Sequence, residues 1–376
     1  MTVKETRQKI LQNLHINFAQ DDIDAVVQSF DPVSFSGKSP IIKEYEGVIS
    51  DYFGTSHALA CCNGTVAIEL ALRAVGVLPG DHVALPPTAP IMTILPILTM
   101  GAIPLFCDIR GEDFGADLES LAAAETRPKA LIVVPMWGYP IEMESIATYC
   151  AQNDIALVED CAHSLGTKVH GKYLGTFGAA STFSTHERKL VSTGEGGFCL
   201  SNNQDLYNAM LSYQHHGLAI SRTAGAYVLG EHVGTNYKLP PMCAALGINQ
   251  FGKLDAKIAA RRERVRVLRE QLSDVPGIAE IHRYDGEEVN GYSMVWRATD
   301  GDAVTRTHAL NARGIVSDTV RYAYKPLYRE PAFTDYARPC PNAEATIRAI
   351  FTLPCHEGLD AEDLNRIVAA TREIFA

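Results

Sequence analysis

What the chain lacks narrows its reading first. Its 376 residues contain no long run of lysine or arginine and carry a formal net charge of −11, so binding to a nucleic-acid backbone is a poor expectation. The nine cysteines are scattered, with Cys61-Cys62 the one adjacent pair. No CxxC pair and no Cys/His zinc spacing occurs, so no metal site is expected. The cysteines read as reduced core thiols of a cytoplasmic protein. The N-terminal stretch from Met1 to Gln8 is polar, without the apolar core of a signal peptide. The most apolar stretch, Ile91 to Leu105, is too short and too interrupted by proline to span a bilayer, so no membrane partner is expected. Repeats and low-complexity segments are absent. No GxGxxG follows the first strand, which makes a dinucleotide-binding oxidoreductase a weak reading.

What is present is ordinary in bulk and specific in order. Apolar residues make up 47% and charged residues 20% of the chain, as in soluble globular proteins, and the length allows one large domain plus a smaller one. From His57 onward, short apolar runs (His57–Cys62, His82–Leu85, Pro104–Asp108, Ala130–Pro135, Ile155–Val158) alternate with helical patterns such as Val66–Val75. That alternation predicts an α/β fold with a mostly parallel sheet covered on both faces. After about residue 245 the character changes. A long charged helix, Lys253–Leu272, leads into a strand at Tyr292–Trp296, a helix at Ala303–Arg313 and a last helix at Ala361–Phe375. The expected division is a large domain over residues 1–250, N-terminal segment included, and a small C-terminal α+β domain over residues 251–376.

The chemistry concentrates in Phe183–Gly197. Lys189 precedes a glycine-rich turn and follows Ser184 by five residues. Upstream, Asp160 ends the apolar run that starts at Ile155. A lysine attacks carbonyl carbon to form a Schiff base. A serine beside it can hold a phosphate, and an aspartate at the tip of a buried strand can pair with a protonated ring nitrogen. Together these are the needs of a pyridoxal 5'-phosphate (PLP) enzyme. Singly, each has a bland reading: a solvated lysine, a loop hydroxyl, an N-cap. Asn63-Gly64-Thr65 opens a helix directly after a strand, which suits an anion but also suits a plain N-cap. His163, three residues after Asp160, is placed to contact a ring oxygen or to serve as a structural hydrogen-bonder. The order of these groups on a doubly wound pattern carries the weight, because carboxyl ends of such strands converge on one crevice.

The quoted residues resemble the DegT/DnrJ/EryC1/StrS family of sugar aminotransferases. The resemblance lies in Cys62–Ala67, Pro79-Gly80-Asp81, Val158–His163, Lys189 with Thr193–Gly197, and Asn236-Tyr237-Lys238 with Ala244–Gly247. It implies a PLP-dependent transferase of fold type I, like aspartate aminotransferase, and a homodimer with shared active sites. It implies that Lys189 forms the Schiff base and moves protons, and that Asp160 pairs with the pyridine nitrogen. His163 stands near the ring oxygen, and Gly64, Thr65 and Ser184 hold the phosphate. Asn236 reaches the phosphate from the neighbouring subunit. It further implies an amino donor such as glutamate or glutamine, and a keto-sugar acceptor, nucleotide-linked or otherwise activated. Lys189 favours transamination over the related sugar dehydratases, in which histidine replaces it. A dehydratase of the same fold and a non-catalytic PLP-binding regulator are the alternatives.

Three departures concern the ring and substrate sides. Pro90 stands where relatives carry an aromatic residue, Lys238 where they often carry arginine, and Tyr292-Ser293-Met294 where an aromatic-His-aromatic pattern is common. Arg321, Tyr322 and Lys325 lie in a segment resembling a substrate-side loop. With Lys238 they are the expected substrate contacts, although solvated surface charge is the commoner fate of such residues.

Overall fold

The structure is a computed structural model that describes residues 9–31, 33–220, 227–230, 232–281 and 289–376. The polar residues 1–8 therefore lie outside the described part.

Seven strands form the main sheet: β1 (His57–Cys61), β2 (His82–Leu85), β3 (Ile103–Phe106), β4 (Ala130–Val133), β5 (Ala156–Asp160), β6 (Ala180–Ser184) and β7 (Gly197–Ser201). Their order is β1-β7-β6-β5-β4-β2-β3. All neighbours run parallel except that β7 is reversed between β1 and β6. Every residue of β4 is buried, as expected for a strand covered by helices on both faces. Because β1, β2, β5 and β6 run the same way, their carboxyl ends share one edge. That edge collects Asn63 after β1, the Pro86–Pro90 turn after β2, Asp160 and Ser184.

The first crossover shows how local sequence sets the geometry. Asn63 caps the helix Gly64–Ala74, its side chain accepting from the Val66 N–H at 2.9 Å, which satisfies one of the orphan donors of the first turn. Gly76, at φ 82, follows its end, a conformation glycine adopts without cost. The helix Ile91–Thr99 likewise starts at the tip of the Pro86–Pro90 turn.

A second core surrounds a three-stranded antiparallel sheet of β8 (Ile278–Glu280), β9 (Met294–Ala298) and β10 (Ile350–Leu353). Met294, Trp296, Phe351, Leu353, Ile367 and Phe375 fill it, joined by Leu11 from the N-terminal segment. The helix Leu254–Leu272 joins the two cores. Its buried stripe is Leu254, Ile258, Arg261, Val265, Leu268 and Leu272, spaced three and four residues apart, so all point one way. The first two belong to the main core and the last three to the second. Arg261, buried at the crossover, is neutralised by Glu357 at 2.6 Å, since an unpaired charge there would be costly.

The strand expected at Tyr292–Trp296 begins two residues later, at Met294, because Tyr292 turns away to stack on His163. All nine cysteines are unpaired, and no helix among the described residues is long and apolar enough to cross a membrane.

Candidate active site

Asp160, the last residue of β5, is buried at the shared edge. Its Oδ2 accepts from Thr93 Oγ1 at 2.7 Å and its Oδ1 from the Ala162 N–H at 3.2 Å. Burial raises its pKa, and these two donors and Lys189 oppose the rise. Thr93 comes from the helix that follows Pro90. In the sequence that segment stands out for Pro90 rather than for the hydroxyl three residues on. A threonine within the first turn of an otherwise apolar stretch was the available signal.

Lys189 sits in a loop closed upon itself. Thr185 N–H donates to Gly196 C=O and Glu187 N–H to Gly194 C=O, both at 2.9 Å; Thr193 N–H donates to Thr185 C=O at 2.8 Å. The Thr185 and Thr193 hydroxyls meet at 2.7 Å. Gly196, at φ 157, packs where a Cβ would collide with both hydroxyls, so only glycine closes the loop. The glycine-rich turn thus shapes the loop that carries Lys189. Burial pulls the Lys189 amine down to about 8, while the Asp160 and Asp318 carboxylates pull the other way. Its Nζ lies 5.4 Å from the centre of the Tyr292 ring.

Tyr292 and His163 stack with ring centres 4.3 Å apart, tilted by 19°. The Trp137 N–H donates to His163 Nδ1 at 3.3 Å, which makes Nδ1 an acceptor and leaves the proton on Nε2. Trp137 presents that N–H from a left-handed φ of 53, uncommon for a side-chain-bearing residue. Burial and the nearby Lys189 charge hold His163 neutral. Asn290, fully buried, donates to the His163 and Leu165 carbonyls at 2.8 and 3.0 Å and so fixes the approach of Tyr292. Tyr292 drew notice in the sequence only as a departure from the aromatic-His-aromatic pattern, and Asn290 not at all, because only the tertiary fold brings them against His163.

Gly64, Thr65 and Ser184 converge at the other end of the edge. Gly197 pairs with both Cys61 and Ser184, so one strand separates the helix start from the serine. A Cβ on Gly64 would stand 2.8 Å from Ser184 Cβ, and one on Gly197 2.8 Å from the Gly64 nitrogen. The Asn63 side chain takes the Val66 N–H and its carbonyl takes that of Ala67. Among the described residues the Gly64 and Thr65 N–H groups have no such partner, and they start a helix whose dipole favours an anion.

The remaining expected residues divide. Arg321 and Tyr322 lie beside the buried Asp318, and Arg188 stacks over the Tyr322 ring at 6.0 Å. Lys325 is paired with Glu330 at 3.1 Å. Lys238 contacts His215 Nδ1 at 3.1 Å. Asn236 is exposed on the strand-like segment that bridges to His215, and no described contact links it to Lys189, Asp160 or Ser184.

The donor set fits pyridoxal phosphate. Free N–H groups and a serine hydroxyl suit the phosphate, a buried acid suits a pyridinium N–H, and an amine of depressed pKa suits the aldehyde.

Comparison with known proteins gives the family and the fold. The profile of the DegT/DnrJ/EryC1/StrS aminotransferase family matches residues 17–372. GDP-perosamine synthase of Caulobacter vibrioides is 30% identical over 362 residues, covering 94% of this chain and 95% of the relative. That of Escherichia coli O157:H7 is 29% identical, covering 93% and 94%. Among solved structures, an aminotransferase of pseudoaminic acid biosynthesis from Helicobacter pylori superposes with a TM-score of 0.88 over 98% of this chain and 99% of that one, at 23% identity. That likeness shows the fold.

Proposed function

The chain belongs to the DegT/DnrJ/EryC1/StrS aminotransferase family, and from that premise we propose that it uses pyridoxal 5'-phosphate to move an amino group from glutamate or glutamine to a nucleotide-linked keto sugar. The observation that carries the reading is Lys189, a buried amine of depressed pKa under the electrostatic pull of Asp160. The names of its relatives, GDP-perosamine synthases and a dTDP-amino-sugar transaminase among them, support a sugar acceptor.

When bound, pyridoxal phosphate supplies an aldehyde for the amine and a ring that draws off electrons from the reacting carbon. Ser184 and the N–H groups of Gly64 and Thr65 would hold the phosphate. Asp160, steadied by Thr93, would keep the ring nitrogen protonated. His163, on which Tyr292 stacks, would offer its Nε2–H to the ring oxygen. Lys189 Nζ, with a pKa of about 8, has a useful fraction of free base near neutrality; it is the group that would bond the aldehyde and carry a proton to and from the reacting carbon. In the first half-reaction the donor leaves its nitrogen behind; in the second the sugar carbonyl receives it. Two copies share the sites: Ile91, Met92 and Leu95 present an exposed apolar face beside Thr93, which suits burial against a second copy. Nine unpaired thiols fit a reducing, cytoplasmic setting.

The test is the absorbance of the purified, cofactor-loaded protein. A Schiff-base band that shifts on adding glutamate and is missing in Lys189→Ala supports the reading. A band that Lys189→Ala leaves untouched refutes it.

A further inference from the structure

We propose that Asp318 selects the acceptor: its carboxylate takes a hydrogen bond from a ring hydroxyl of the sugar beside the reacting carbonyl. The inference rests on the keto-sugar reading above and adds a residue and a chemical criterion to it.

Asp318 is 3% exposed, yet its Oδ1 has no hydrogen-bond partner among the described residues. Its Oδ2 has one long bond, from Asn13 Nδ2 at 3.3 Å. Three cations stand near enough to act on it electrostatically: Arg188, Arg321 and Lys189. None of them hydrogen-bonds it. Arg321 turns its guanidinium to Gln12, and Arg188 lies over Tyr322. Burial outweighs the cations and raises the pKa. A buried acid left half-satisfied destabilises a fold, and such groups persist where function needs them.

Its placement is rigid. The Asp318 N–H donates to Thr352 Oγ1 at 2.8 Å, and the Thr352 N–H donates to Ser317 Oγ at 2.8 Å. The two hydroxyls also meet at 3.1 Å. This lattice fixes the start of the turn Asp318–Arg321 to the middle of β10, so the carboxylate is held by a strand and not by a free loop. Lys189 and Tyr292 both feel its charge, which puts it on the side of the reactive amine.

The chemistry of the occupant follows. An unpaired carboxylate repels phosphate and the carboxylates of an amino-acid donor. It accepts from O–H. A sugar presents hydroxyls on the carbons flanking its carbonyl, whereas the donor's polar groups away from its amine include the carboxylates that Asp318 disfavours. The acceptor hydroxyl is therefore the partner.

The experiment measures kcat/KM of the holoenzyme with nucleotide-linked keto sugars and their single-deoxy analogues at each ring position, for wild type, Asp318→Asn and Asp318→Ala. At one ring position wild type prefers the hydroxylated sugar by roughly 10- to 100-fold. Asp318→Ala brings that ratio to within about threefold of unity, and Asp318→Asn falls between. Asp318→Asn also melts at or above the wild-type temperature, because it removes a buried charge and keeps the shape. A preference that survives in Asp318→Ala, no preference in wild type, or a lowered melting temperature in Asp318→Asn overturns the inference alone. No turnover of any keto sugar by wild type overturns the acceptor reading, and this inference falls with it.

Discussion

Thr93 Oγ1 lies 2.7 Å from Asp160 Oδ2, so a hydroxyl from the helix after β2 steadies the acid at the tip of β5. The two come from opposite sides of β4, and the parallel order β5-β4-β2 makes the meeting possible. Burial pushes the Asp160 pKa up and Thr93 is the largest influence bringing it down. Thr93→Val removes a donor to a buried acid and keeps the side-chain volume. A hydrogen bond to a charged group is worth about 1.5–3 kcal/mol, so kcat/KM is expected to fall roughly 10- to 100-fold in Thr93→Val and little in Thr93→Ser. Steady-state rates of the two variants check this; equal losses in both would mean that the hydroxyl is not the cause.

The reactivity of Lys189 should follow pH with a definite sign. The amine is the nucleophile, and burial brings its pKa to about 8. Below that value it is mostly protonated and inert; above it the free base dominates. The rate at which cofactor-free protein takes up pyridoxal phosphate is therefore expected to rise through pH 8 and level off above. Asp160 holds the ammonium form, so Asp160→Asn should move the midpoint to lower pH. Stopped-flow absorbance across pH 6–10 reads both, and a midpoint near the ordinary lysine value of about 10.4 would contradict the burial argument.

The phosphate end can be probed by sterics and by chemistry separately. A Cβ on Gly64 would stand 2.8 Å from Ser184 Cβ, so Gly64→Ala must displace the serine or the helix start. Overpacking of this kind costs about 1–3 kcal/mol, and the melting temperature should fall along with cofactor retention. Ser184→Ala removes the hydroxyl without crowding. It should weaken cofactor binding about 10-fold with the melting temperature of the cofactor-free protein nearly unchanged. Dialysis against free phosphate, followed by absorbance, measures the retention.

Which of these features the sequence displayed depended on how local their cause was. Asp160 stands out because a polar group at the end of an apolar strand contrasts with its neighbours, and the parallel pattern says where such ends go; Lys189 stands out by the glycine-rich turn that follows it, and Ser184 by its place five residues before the lysine. Strands β1 to β5 were legible by the same contrast of apolar runs with their neighbours, and the Asn63 cap was one of two readings open at that turn. The strand β6 and the reversed β7 were not; Gly197–Ser201, buried on both faces, carries no alternation that would show its direction. Thr93 was hidden behind Pro90, three residues earlier, where relatives carry a ring. Asn290 gained its meaning only from its bond to the His163 carbonyl, and Tyr292, noticed as a departure from the usual pattern, from its stacking on the His163 ring. Asp318 is the clearest case: a single acid in a loop beside Arg321 and Tyr322 carries no local signal. Its significance is its burial with Oδ1 unpartnered among the described residues, in a position that Ser317, Thr352 and Asn13 set from separate parts of the chain.

The apolar face of the helix Ile91–Thr99 sets the last expectation. Ile91, Met92 and Leu95 are 45%, 52% and 39% exposed, while Thr93 on the same helix is buried against Asp160. One helix thus serves the site with one face and offers an apolar face outward. Such a patch is unfavourable in water unless covered. If a second copy covers it, Met92→Glu with Leu95→Glu places two charges in the contact and should convert a dimer to a monomer in sedimentation velocity. Activity should fall with it, because the helix that carries Thr93 loses its support. Recovery of activity on raising protein concentration would tie the loss to association. A double variant that stays dimeric and fully active would place the shared surface elsewhere on the chain.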